Sequence, residues 1–441
     1  MNRTTMFVFA LLLMPAACTV HPEGESSERE RAAVAGAAWS KPFGDRIPLP
    51  LTQNSTLADY LAHAEQGNGE LEAAWNRWQA ALEQVPQDGT QPTTAMIGID
   101  HELDGGKAID RTGISLMSDT MNNLMVPGRL GARAIAALER ARTAAAEFDQ
   151  ARLQLQREVA KAYYELAYHD EDYLLMLQVR NKLVTIEESV AASVAAGTLK
   201  PTARLQVQIA IDRLDAERER MHADRPALIA AVRRIIGGGP TLTEVLAVLP
   251  DFQPLADNEQ EFLFRALEHN PALSIRRREH DAANAEERAR EWLRVPELSL
   301  GSALMLDGIG GLSGAVSLPF LRGTAIDGAI AQASANARAA EAMQRQAGHD
   351  AVAAVLGFSA ELRGHEVEAK VLNERLIPRL MQLAQITRSE WTAGKGDFQM
   401  VAEVEMQVLE AKRLVLRIRR EHAVTRARLA EATGALLAEK L

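Results

Sequence analysis

His169-Asp170-Glu171-Asp172 carry the donor types that hold a divalent metal ion. On a helix only residues three or four apart share a face, so the run offers few ligands to one ion. A solvated charged face is the simpler reading. Met117, Met121 and Met125 recur at every fourth position, and a row of thioethers could pass a soft metal along. Methionine fills gaps in packing just as readily. The chain has no phosphate-binding glycine loop, nucleophile elbow or His-x-x-x-His pair. These residue patterns point away from an enzyme, and they assign neither a cofactor nor a resident metal.

The only cysteine, Cys18, suggests a different chemistry. Arg3 and the apolar run Met6–Met14 precede Pro15-Ala16-Ala17, which reads as an export signal over residues 1–17. A lone cysteine in an exported protein cannot form an internal disulfide. Cys18 stands where a lipoprotein signal places its acylated residue, although Pro15 occupies the usual leucine position. An ordinary cleavage site beside a chance cysteine is the alternative. Thr19 follows, not the aspartate that retains such proteins in the inner membrane, so outer-membrane sorting is expected.

Composition sets the elements that must position everything else. Alanine is abundant, aromatic content is 5%, and long stretches lack glycine and proline, which suits long helices. The net charge of -10 argues against nucleic-acid binding. No apolar run after residue 20 reaches the ~20 residues of a membrane-spanning helix, so any crossing by the mature chain must use strands.

The chain is duplicated. Leu61–Leu71 (LAHAEQGNGEL) resembles Leu263–Leu273 (LFRALEHNPAL), with Asn68 matching Asn270 at an offset of 202. Ile114-Ser115-Leu116 matches Val316-Ser317-Leu318 at the same offset. Ala196-Gly197 matches Ala393-Gly394, and Ile235-Ile236-Gly237 matches Ala432-Thr433-Gly434, both at an offset of 197. Each half reads as a short helix, two alternating strands and two long helices. The first repeat spans 55–237, with strands at about 93–103 and 108–117 and long helices at about 129–196 and 202–236. The second spans 258–441, with strands at about 296–306 and 312–320 and long helices at about 323–393 and 398–433. Residues 18–54 and 238–257 read as linkers.

Pro296, Leu298, Leu300, Ser302, Leu304 and Leu306 alternate with polar or small residues, as on a strand. Asp307–Gly311 and Asp104-Gly105-Gly106 supply turns. Such strands are long enough to cross a bilayer when tilted, and a half-buried soluble hairpin would look the same. The helices favour the membrane reading. Ala132–Ala196 holds 65 residues without Gly or Pro, on the order of 98 Å of helix. Pro378 divides the matching stretch into two helices. Gly197 and Gly394 end the rods. Two hairpins cannot close a barrel, and open sheet edges are forbidden in lipid. Three copies supply twelve strands, enough to enclose a duct.

These features together resemble the TolC-like outer-membrane efflux proteins, from Leu57 to Leu437. The most specific piece is Trp391–Ala411, an aromatic-x-x-Gly turn leading into a helix with an acidic residue among small and apolar ones. His269–Leu273, Val316–Phe320 and Tyr163–Leu166 add to the likeness. The resemblance implies a mainly α fold with a small β part. It implies a homotrimer with a 12-stranded outer-membrane β-barrel and a long periplasmic α-helical barrel. It also implies a periplasmic adaptor (membrane fusion protein), a proton-driven inner-membrane pump and outer-membrane lipid as partners. The family closes its periplasmic mouth with a ring of acidic side chains. Counted from Gly394, that position falls on Glu403, with Gln399 and Met400 beside it. Glu405 and Glu410 read as ordinary solvated carboxylates. The expected adaptor-contacting tips are Gly197, Thr198, Leu199 and Lys200, and Gly394, Lys395, Gly396 and Asp397. Lys200 and Ala203 replace the family's frequent Ser and Asp. Val126-Pro127-Gly128-Arg129 is similar to the family's heavy-metal branch. The expected function is passive export of small toxic molecules or metal ions. The duct of a type I protein secretion system and a periplasmic coiled-coil adaptor or structural envelope protein are the alternatives.

Overall fold

The computed structural model describes residues 19–42, 45–46, 49–52, 54–91, 95–102, 111–118, 125–238, 246–255, 258–305 and 310–437. Residues 1–17, Cys18, Met121 and the turn Asp104-Gly105-Gly106 lie outside them. The chain is mostly helical. Among the described residues no helix is long and apolar enough to cross a membrane.

A short helix, α1 (Glu25–Ala35), comes first. The first half follows as α2 (Leu57–Gly67), α3 (Gly69–Gly89), β1 (Ala95–Glu102), β2 (Arg111–Ser118), α4 (Pro127–Ala195) and α5 (Pro201–Ile235). The second half repeats that order. It runs α6 (Glu259–His269), α7 (Pro271–Glu291), β3 (Leu298–Met305), β4 (Gly310–Val316), α8 (Gly323–Val371), α9 (Ile377–Thr392) and α10 (Phe398–Ala432).

Three sequence expectations need correction. The linker expected before residue 55 contains α1, whose buried residues are Glu25, Glu28 and Ala32. Arg29 lies between Glu25 and Glu83 and bonds both, and Trp75 Nε1 donates to Ala32 O at 2.9 Å. The single short helix expected at the start of each half is two helices, parted at Asn68 and at Asn270. The break expected at Pro378 begins earlier, as a π-helical turn over Leu372–Leu376. A proline removes one backbone donor and crowds the preceding turn, and the helix takes up the mismatch as a bulge.

The chain divides into two compact units. One comprises the described parts of residues 1–40, 73–149 and 272–348. Its sheet is antiparallel, in the order β1-β2-β3-β4, so among the described residues β1 and β4 are open edges. Ile114 pairs with Ile99 and with Leu304, and Leu298 pairs with Val316. The aromatic core of this unit sets Trp39 against Trp75 and Phe148, at centroid distances of 5.8 and 6.0 Å. A Cβ at Gly128 would lie 2.3 Å from the Trp292 ring, so a larger residue there would have to displace that ring.

The other unit comprises the described parts of residues 41–72, 150–271 and 349–441. Here the repeat landmarks become one device used twice. Asn68 Nδ2 donates to Ile235 O at 2.8 Å, and Asn270 Nδ2 donates to Ala432 O at 2.9 Å. Each asparagine is buried and ties the start of its repeat to the end of that repeat's last long helix. Asn68 Oδ1 also accepts from Glu70 N and Leu71 N, capping α3. Gly237 and Gly434 sit just past those helix ends with φ of 86° and 67°.

Candidate functional site

The hairpin tips are built alike. Gly197 and Gly394 both have φ 73°. Gly197 N donates to Val194 O and Thr198 N to Ser193 O. Gly394 N donates to Trp391 O and Lys395 N to Glu390 O in the same pattern. This is the glycine-terminated helix end in which a left-handed residue lets two amides reach back to otherwise orphaned carbonyls. Gly197, Thr198 and Lys200 are exposed, as are Gly394, Lys395, Gly396 and Asp397. Leu199 instead packs partly into the core beneath. Asp397 is the N-cap of α10 and accepts from Gln399 N at 3.1 Å.

Beneath the tips, one apolar cluster joins both hairpins. α4 contributes Met176, Leu183 and Val190, and α5 contributes Val207 and Leu214. Trp391 and Phe398, 6.2 Å apart and nearly perpendicular, close it from the second hairpin. Val401, Val404, Val408 and Leu409 give α10 a continuous buried stripe. The helical period then places Gln399, Met400 and Glu403 on one exposed face, three and four residues apart. Among the described residues Glu403 makes a single marginal hydrogen bond, 3.5 Å from Gln407 Nε2. The sequence candidates for the mouth therefore do share a surface.

Glu405 is not an ordinary solvated carboxylate. It is 1% exposed. Lys182 Nζ on α4 donates to Oε2 at 3.1 Å, and Arg388 on α9 donates to Oε1. One buried carboxylate thus ties α10 to the first hairpin and to its own hairpin partner. Glu410 is exposed, as expected.

The acidic run also corrects an expectation. Neither a metal site nor a solvated face, it is consumed by arginines. Arg225 of α5 holds Asp170 through two bonds of 2.9 Å. Arg413 and Arg419 of α10 hold Asp172 at 2.6 Å and Glu171 at 3.1 Å. His169 Nε2 is 3.0 Å from Met221 O. Burial pushes the Asp172 carboxyl up, against the pull of Arg413. Among the described residues no group of three His, Cys, Asp or Glu could hold a metal. Met125 does not present a free thioether, since Arg133 lies 3.5 Å from its sulfur. Arg129 of the Val126–Arg129 motif pairs with Glu297.

Comparison with solved structures gives this arrangement its context. The chain aligns with CusC at a TM-score of 0.75 and 16% identity, covering 88% of this chain and 96% of that one. CusC is described as forming a transmembrane channel. VceC, an outer membrane protein of Vibrio cholerae, aligns at 0.73 and 17% identity, covering 86% and 96%. The open state of the Neisseria gonorrhoeae MtrE outer membrane channel aligns at 0.73 and 17% identity, covering 86% and 89%. The chain has the TolC-like fold of outer-membrane channels. No family model matches the sequence, and no curated relative does. Within the channel fold, the duplicated tips and the Glu403 face occupy the ends and flank of the second unit's long hairpins.

Proposed function

We propose that this chain is the outer-membrane exit duct of a tripartite efflux system. An inner-membrane pump drives export, a periplasmic adaptor docks on the hairpin tips, and the duct itself is passive. The observation that carries the reading is the four-stranded sheet with two open edges. An open edge cannot stay in lipid, because its amides and carbonyls would go unpaired. Three copies joined β4 to β1 make a closed barrel of twelve strands, wide enough to hold a lumen. Side-chain exposure supports the membrane placement. Ile99 is 77% exposed, and the cross-strand pair Leu298 and Val316 are 46% and 55% exposed. A soluble hairpin would bury such a face; a lipid-facing strand presents it.

Lipidation of Cys18 fits the same placement. Thr19 Oγ1 lies 3.0 Å from Thr90 Oγ1, and Val20 N donates to Gly89 O at 2.9 Å. Gly89 permits that approach, since a Cβ would stand 2.4 Å from Val20 O. The residue after Cys18 is therefore pinned a few positions before β1, where an acyl chain would meet the leaflet that the strand enters. Mass spectrometry of the mature N-terminus should find a diacylglyceryl cysteine that Cys18→Ala abolishes. An unmodified Cys18 in outer-membrane material would remove the anchor from the proposal.

In a trimer the three Glu403 carboxylates would gather at the periplasmic mouth and favour cations. Planar-bilayer recordings of the reconstituted protein should show a cation-preferring channel, with that preference weakened in Glu403→Ala. A protein that forms no channel under these conditions would contradict the duct reading. Unchanged selectivity in the variant would contradict the ring.

A further inference from the structure

The segment 246–255 between the two repeats is a strap laid across helices of the second unit. Helix side chains hold its backbone at several points. Val248 N donates to Tyr163 Oη at 3.3 Å and Leu249 N to Glu171 at 3.4 Å, both on α4. Arg419 on α10 donates to Leu249 O at 3.0 Å, and Arg426 donates to Gln253 O at 2.8 Å. Leu255 N donates to Glu366 Oε1 on α8 at 2.7 Å. The strap thus joins α4 of the first repeat to α8 and α10 of the second. Its apolar seat is Phe252, packed against Ala369, Leu372 and Ile418. Leu372 is the first residue of the π-helical turn. Such bulges are frequent at functional sites.

Under Phe252 lies His422. The two rings are 5.2 Å apart, edge to face, and His422 is 3% exposed. Its Nε2 is 3.5 Å from Glu366 Oε1, and no group among the described residues completes a hydrogen bond to it. The charged surroundings come from three elements. α8 supplies His365 and Glu366, with Glu361 bonded to Thr425 of α10. α10 supplies Arg419, Glu421 and Arg426, with Glu421 facing His365 at 3.8 Å. The strap supplies Asp251, 3.6 Å from Arg419. Among the described residues Glu366 is the one carboxylate paired with the buried ring, and its Oε1 is already engaged by Leu255 N.

We propose that residues 246–255 are an acid-released clasp, in which protonation of His422 lifts Phe252 from its seat and frees the helices around the π-helical turn. The helical walls of the site are locked by their own hydrogen-bond ladders, so Phe252 is the cover that can move to let water reach the ring. Drawing Glu366 toward an imidazolium also withdraws it from Leu255 N. The direction in pH follows from linkage. Burial holds the His422 pKa below its ordinary 6.5, with Arg426 and His365 adding to the effect and Glu366 opposing it. A histidine side chain open to water titrates at about 6.5. The released state therefore takes up the proton first, and it gains as pH falls below that value. The gain is at most about tenfold per pH unit and stops below the pKa of the clasped state. The clasp would behave this way whatever the duct carries.

The test is hydrogen–deuterium exchange of the full-length protein in detergent, between about pH 7.5 and about pH 5, corrected for intrinsic rates. Peptides covering 246–255 should lose protection as pH falls, while tip peptides around 197 and 394 hold theirs. His422→Gln, which cannot take the proton, should flatten the response. Phe252→Ala, which uncovers the ring, should leave the strap unprotected at every pH. A wild-type strap that stays protected to about pH 5 would overturn the clasp, as would an equal pH response in His422→Gln. A strap still protected in Phe252→Ala would overturn it without reliance on the histidine variant.

Discussion

Alanine at Gly237 or Gly434 is expected to destabilise the protein by more than about 3 kcal/mol and to remove most assembled material. Both residues have positive φ, which alone sets an alanine back by ~1–2 kcal/mol. The larger part is steric. A Cβ at Gly237 would lie 1.9 Å from Gly67 O, and one at Gly434 would lie 2.2 Å from His269 O. Those oxygens belong to the backbone one residue before Asn68 and Asn270, so they cannot yield without breaking the asparagine bridges. Gly197 and Gly394 are natural controls. They share φ 73°, but a Cβ there would meet nothing within 4 Å. Their alanine variants should lose only ~1–2 kcal/mol. Apparent melting temperatures of the four purified variants separate the two effects. Four equal losses would mean that the close approach at the repeat junctions contributes nothing.

The second large effect concerns Glu405. Glu405→Ala should raise single-channel conductance severalfold while lowering stability by only ~1–3 kcal/mol. The asymmetry follows from exposure. Glu405 is 1% exposed, but the side chains of Lys182 and Arg388 are 47% and 46% exposed. Once the carboxylate is gone, both cations can turn to water, and no buried charge is stranded. What disappears is the polar tie between α4 and α10 on the buried side of α10, two residues along the chain from Glu403. Lys182→Ala should give part of the same increase. A double-mutant cycle of Lys182→Ala with Glu405→Gln should show coupling above ~0.5 kcal/mol. Conductance unchanged in Glu405→Ala would mean that the tie does not restrain the mouth.

Much of this molecule was legible from local pattern. Leu298 to Leu306 alternates, and β3 spans Leu298–Met305. Ala132 to Ala196 lacks Gly and Pro, and α4 runs Pro127–Ala195. The matched pairs Asn68 with Asn270 and Gly237 with Gly434 were visible as a duplication. Their meaning was not, because the bond from Asn68 reaches Ile235, 167 residues away. Glu405 failed for the same reason. Its partner Lys182 is 223 residues distant, although the helical period does set Glu405 in line with Val401, Val408 and Leu409. α1 was missed because its buried side includes Glu25 and Glu28, so no apolar stripe announces it. The arginines that consume Asp170, Glu171 and Asp172 come from α5 and α10, which no spacing rule anticipates. Glu403, Gln399 and Met400 share a face simply because the helical period puts them there.

The central claim is that β4 of one copy completes the sheet of the next. Ile99 stands on edge strand β1, and Gly314, Ala315 and Val316 stand on edge strand β4. Two strands intervene, roughly 14 Å in all, too far for a disulfide within one chain. Ile99→Cys combined in turn with cysteine at each of the three β4 positions, then oxidised in native envelopes, measures the joint directly. At least one pair should yield covalent trimers in the outer-membrane fraction. Only monomers from every pair, in protein that fractionates with the soluble periplasm, would contradict the shared barrel.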